Sequence, residues 1–150
     1  MSEMLGNQYF LARRYAEACR ELEAELSKSS NSNRIAKKLI ICYLQTNQLE
    51  KAFNTFYRLV HDDLEIITGT NPEKDDCPCP EIIDENLPLL KFKNDFELNL
   101  KLGILWLYCD AEKSLEFFNK IKTDNNYHTK INNIILQIRT HLVKIKQELQ

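Results

Sequence analysis

The chain has 150 residues, enough to bury a core and short enough to be one domain. Its 20 basic and 22 acidic side chains leave a net charge of −2, which excludes nucleic-acid binding driven by bulk positive charge. A hydrophobic fraction of 43% excludes a disordered chain, and the presence of only 3 Gly and 4 Pro argues against turn-rich β architectures, so the expected fold is all-α.

The first helix is expected over residues 2–11 and the second over 15–28, with Ala12-Arg13-Arg14 between them. A third is expected over 33–46 and a fourth over 49–64, with Asn47-Gln48 as the joint. Asn31, Ser32 and Asn33 are side chains suited to cap the third helix. A shift of 34 residues lays Tyr9 on Tyr43, Tyr15 on Leu49, Ala18 on Ala52 and Leu22 on Phe56. Two antiparallel helices of three to four turns, with their joints, occupy about that length. Gly6, Ala18 and Ala52 are small enough for helices to cross closely, and Leu5, Tyr9, Leu22, Leu39, Tyr43 and Phe56 fill the space beside them.

Leu5-Gly6-x-x-Tyr9 followed by Ala18-x3-Leu22, and Leu39-Ile40-x-x-Tyr43 followed by Ala52-x3-Phe56, resemble the tetratricopeptide repeat pattern W-x2-L-G-x2-Y…A-x3-F…P. Ser2 and Ala36 stand at the Trp place, Ile40 at the second Gly place, and Ser30 and Leu64 at the Pro place. The resemblance covers residues 1–64, as a first repeat over 1–31 and a second over 32–64. It implies a right-handed α–α superhelix in which the first helix of each pair lines a concave face that accepts a peptide. By that implication the inward positions are Asn7, Phe10 and Leu11 in the first pair, and Arg34, Lys37, Lys38, Ile41 and Gln45 in the second. One version of the family clamps a chain terminus with Lys, Asn and Arg. Glu3 stands where it has Lys and Lys38 where it has a second Asn, so that ligand is not implied. The partner expected from the residues is a protein or peptide, acidic if the cluster of Arg34, Lys37 and Lys38 is what meets it.

Residues 65–92 break the period. Residues 62–86 hold nine acidic groups and one basic group, a net charge of −8, while 1–61 carry +3 and 120–150 carry +4. Thr68-Gly69-Thr70-Asn71-Pro72 is turn chemistry, and a short helix is expected over 80–85. Within the insert, Cys77-Pro78-Cys79 leaves three readings open. It is a structured turn with packed thiols, a weak metal site, or a redox pair that switches the loop. The C-x-C spacing is tighter than the usual zinc and thioredoxin spacings, and Asp75, Asp76 and Glu81 are expected to oppose thiolate formation.

A degenerate third pair is expected over 93–123, because Gln48–Phe53 falls on Asp110–Leu115 and Phe56 on Phe118 at an offset of 62. Its first helix is expected to bury Leu98, Leu102 and Leu105, and the repeat resemblance implies Asn99, Gly103, Trp106 and Leu107 as its inward positions. Residues 126–150 form an amphipathic capping helix with Ile131, Ile134, Ile135, Ile138, Leu142, Ile145 and Leu149 on one stripe, a surface that a second copy of the chain could also use. His61, His128 and His141 are scattered, and no HExxH, GxSxG, GxGxxG or P-loop occurs, so no enzyme activity and no cofactor are expected. No apolar run approaches the roughly 20 residues that span a bilayer, and Met1–Phe10 does not read as a secretory leader, so the expected setting is cytoplasmic.

Overall fold

The computed structural model describes residues 2–28, 32–71, 73–75, 77–84, 88–122 and 126–149, and its described residues form helices and connections with no strand. In chain order the helices are α1 (Ser2–Leu11), α2 (Tyr15–Leu26), α3 (Ser32–Gln45), α4 (Leu49–Asp63), α5 (Glu65–Thr68), α6 (Cys79–Ile82), α7 (Asp95–Trp106), α8 (Ala111–Asn119) and α9 (His128–Glu148). The fold is all-α, and no helix among the described residues is long and apolar enough to cross a membrane. Asn31, Pro72, Asp76 and Glu85, which carry parts of the capping, turn, acid-cluster and short-helix expectations, lie outside the described residues. The chain divides into two compact units, Met1–Arg58 and Leu59–Gln150, with the division inside α4.

In the first unit, α1 packs on α2, α2 on α3, and α1 also touches α3. Gly6 makes the first crossing possible, since a Cβ there would meet Leu22 Cδ2 at 2.7 Å. Ala18, Leu22, Leu39, Tyr43, Ala52 and Phe56 are buried, as the repeat spacing requires, whereas Leu5 is exposed and Tyr9 half-buried. The period also recurs in the backbone. Arg13 and Asn47 both adopt left-handed φ, at 62° and 59°. The next residue then donates back across each helix end: Arg14 N–H to the Tyr9 carbonyl at 2.8 Å, and Gln48 N–H to the Tyr43 carbonyl at 2.9 Å. These are Schellman-type closures, which satisfy carbonyls that a helix C-terminus otherwise leaves unpaired.

In the second unit, α7 packs on α8 and α8 on α9. Asn94 caps α7 by accepting from Glu97 N–H at 2.9 Å, while Glu97 Oε2 accepts from Lys93 N–H at 2.5 Å. Asp110 caps α8, accepting from Glu112 and Lys113 N–H at 3.0 and 3.2 Å. Gly103 sits under the Phe118 ring, with 2.9 Å between a hypothetical Cβ and Cε2, and Ser114 Oγ donates to the Gly103 carbonyl at 2.6 Å. The small-against-large crossing of the first unit is therefore repeated here. The turn is not, because no left-handed residue occurs among the described residues between α7 and α8.

Three sequence expectations change. The buried face of α7 is Leu100, Lys101, Gly103, Ile104 and Leu105, with Leu98 and Leu102 half-buried. Apolar residues surround this helix almost completely, so periodicity did not select one face. Gly103 and Leu107 are core positions and not inward ligand positions. On α9 only Ile131, Ile134 and Ile138 are buried, while Ile145 and Leu149 are exposed. The insert contains the extra helix α5, and its short helix begins at Cys79.

Candidate functional site

The first unit carries a groove of about 670 Å³ lined by Glu3, Met4, Asn7, Gln8 and Leu11 of α1, Glu25 of α2, and Arg34 and Lys38 of α3. Its floor is a two-rung ladder between α1 and α3. Arg34 Nε donates to Glu3 Oε1 at 2.9 Å, with Arg34 Nη2 on the same oxygen. One turn along both helices, Lys38 Nζ donates to Asn7 Oδ1 at 2.7 Å. The rungs rise together along the two chains, so α1 and α3 run parallel. Beside them, Met4 and Leu11 are 61% and 51% exposed. The groove thus offers apolar contact next to charged donors, with Glu3 and Glu25 balancing Arg34 and Lys38.

Of the inward residues implied by the repeat resemblance, the groove gathers Asn7, Leu11, Arg34 and Lys38. Phe10 and Ile41 are each only 2% exposed and belong to the core, where their helical spacing serves packing. Lys37 and Gln45 are half-buried on α3 and do not line the groove. Asn99 and Trp106 stand half-buried on α7 in the second unit, where the Lys113 ammonium lies 5.4 Å from the Trp106 ring centroid. The sequence spacing missed Glu3 as an internal partner. The signal was present as two departures from the clamp pattern, an acid at the Lys place and a Lys at the Asn place, which complement each other.

None of the five cysteines is in a disulfide. In the second unit, Cys77 hydrogen-bonds with the buried Cys79 and lies close enough to act electrostatically on Cys109. Burial pushes the Cys79 thiol well up, and the hydrogen bond with Cys77 adds to it. Burial likewise pushes Cys109 up to about 11, followed by Cys77 and Asp110. Thiolate formation at Cys79 and Cys109 is thus opposed mainly by desolvation. Among the described residues no group of three or more His, Cys, Asp or Glu is arranged to hold a metal ion.

Lys101 is a charged residue that the sequence pattern passed over. It is 2% exposed, and its Nζ donates to the Lys91 carbonyl at 2.7 Å, with Glu97 Oε1 at 4.0 Å. Burial lowers its pKa, against the opposing pull of Glu97. Its ammonium fastens the segment before α7 onto that helix. The visible signal was a lysine inside the apolar run Leu98–Leu107.

No family model, curated protein or solved structure matches the chain.

Proposed function

We propose that the chain is a non-enzymatic protein–protein interaction module, a right-handed superhelix of tetratricopeptide-like helix pairs that receives a peptide segment of a partner protein in the α1–α3 groove. The observation that carries this reading is the groove itself, where exposed Met4 and Leu11 flank the Glu3–Arg34 and Asn7–Lys38 rungs. The recurrence of the left-handed joint at Arg13 and Asn47 supports the repeat reading. Apolar side chains left in water beside fixed polar groups are the composition of a binding patch.

The guest of matching chemistry is an acidic peptide with one apolar anchor. The anchor covers Met4 and Leu11. Its carboxylate competes with Glu3 for the Arg34 guanidinium, which suits a planar, two-pronged contact. Because the charges of the groove balance, attraction comes from this local exchange and not from a basic field.

The test is selection from a displayed library of random peptides. The full chain should enrich acidic sequences carrying one large apolar residue. The double variant R34E/K38E should lose that enrichment while keeping its helical circular dichroism and melting temperature. Lys37→Glu, outside the groove lining, should enrich the same sequences as the parent. Identical enrichment by the double variant, or none by the parent, would overturn the reading.

A further inference from the structure

Between α2 and α3 of the first unit, two thiols meet inside a small polar network. Cys19 stands on α2 and Cys42 on α3, and the two thiols are close enough for each to shift the other's ionisation. Thr46 Oγ1 lies 4.0 Å from Cys19 Sγ and 2.7 Å from the Cys42 carbonyl. Gln48 Nε2 donates to Thr46 Oγ1 at 2.7 Å and reaches Cys19 Sγ at 4.0 Å. The left-handed turn at Asn47 lies between Thr46 and Gln48, the two residues that face the sulfur.

Core cysteines ordinarily pack as small apolar groups. This one is different, because the first sulfur has donors on several sides. The Thr46 hydroxyl carries a single proton, which it can give to the Cys42 carbonyl or turn toward a Cys19 thiolate. The Gln48 amide has two, one for Thr46 and one for the sulfur. The two thiols are also unequal. Cys42 is fully sealed, whereas Cys19 keeps 4% of its surface in water. The hydrogen bond from Cys42 lowers the Cys19 pKa, helped by Thr46 and Lys51, against burial and Glu23. The same partnership, with burial, raises Cys42.

We propose that Cys19 and Cys42 form an oxidant-responsive thiol pair, an oxidative modification site that a small peroxide converts into a disulfide joining α2 to α3. Cys19 is the attacking sulfur. Its thiolate attacks one peroxide oxygen, the O–O bond breaks, and the other oxygen leaves as water or an alcohol after taking a proton. Cys19 is then a sulfenic acid. The Cys42 sulfur attacks the Cys19 sulfur, the S–O bond breaks, and the hydroxyl leaves as water with the Cys42 proton. Two thiols and one peroxide become one disulfide, one alcohol or water, and one water. A thiol reductant reverses the change. The proposal does not depend on the peptide-binding reading, since no residue of the pair lines the groove.

The full chain, treated with about one equivalent of hydrogen peroxide, should be alkylated under denaturing conditions and digested with trypsin. The expected product is a linked pair of peptides, Tyr15–Arg20 and Leu39–Lys51, two hydrogens lighter than the free peptides together. It should form before the exposed Cys109 is oxidised, and dithiothreitol should remove it. In Cys42→Ser, Cys19 should instead be trapped by a sulfenic-acid reagent, and in Cys19→Ser residue Cys42 should stay reduced. Absence of the linked peptides from the parent chain, or earlier oxidation of Cys109, would overturn the proposal even if both variants misfold.

Discussion

Lys101 holds a charge in a place where water does not reach, and the proton equilibrium records the cost. Its pKa is lowered by burial in the folded chain, so between that value and the ordinary lysine range the unfolded chain binds more protons. Stability contributed at this position therefore rises with pH across that window and is lowest below it. Lys101→Met removes the desolvated ammonium but also the 2.7 Å bond to the Lys91 carbonyl, two opposing effects that should leave stability at neutral pH within about 1 kcal/mol of the parent. Denaturant midpoints taken at a series of alkaline pH values should show the rise in the parent and a flatter curve in the variant. Gly103 is constrained by space. Gly103→Ala places a methyl group against the edge of the fully buried Phe118 ring and should cost about 1–3 kcal/mol by chemical denaturation.

At the scale of elements, the joints decide more than the helices. Arg13 and Asn47 occupy equivalent left-handed positions, but the two side chains differ in how easily they accept that backbone. Asn tolerates it through its short polar side chain, whereas the Arg13 side chain offers only a long bond from its guanidinium to the Phe10 carbonyl, at 3.4 Å. Arg13→Gly should raise thermal stability by up to about 1 kcal/mol, while Asn47→Gly should change it less. A melting series that reverses this order would show that the Arg13 side chain contributes more than its backbone strain costs. The helix positions of α1 to α4 were readable because apolar periodicity and the 34-residue shift agreed on the same boundaries. The buried face of α7 was not, since Phe96, Leu98, Leu100, Leu102, Ile104 and Leu105 nearly encircle it, and only contact with Phe118 and Ser114 selects a side. In α9 the stripe was legible, but its length exceeds what α8 covers, and a pattern cannot say where a neighbour ends.

Across the whole molecule, the sequence disclosed composition, repeat and insert more readily than relationships between distant side chains. Asn7, Arg34 and Lys38 were named through the repeat resemblance, whereas their pairing with each other and with Glu3 depends on how closely α1 approaches α3. Cys19 and Cys42 are 23 residues apart on different helices, and nothing in a linear pattern places one against the other. The division of the chain at Arg58 was likewise hidden, since it falls within the continuous amphipathic run of α4. The ladder between α1 and α3 has one more consequence. Exposed pairs of this kind contribute about 0–1 kcal/mol to stability, so their importance lies elsewhere. Two rungs one turn apart oppose both sliding and rotation of α1 along α3. The proposed guest, in taking Arg34 from Glu3, would still meet a Lys38 side chain already held by Asn7, so association need not be taxed a second time for ordering that rung.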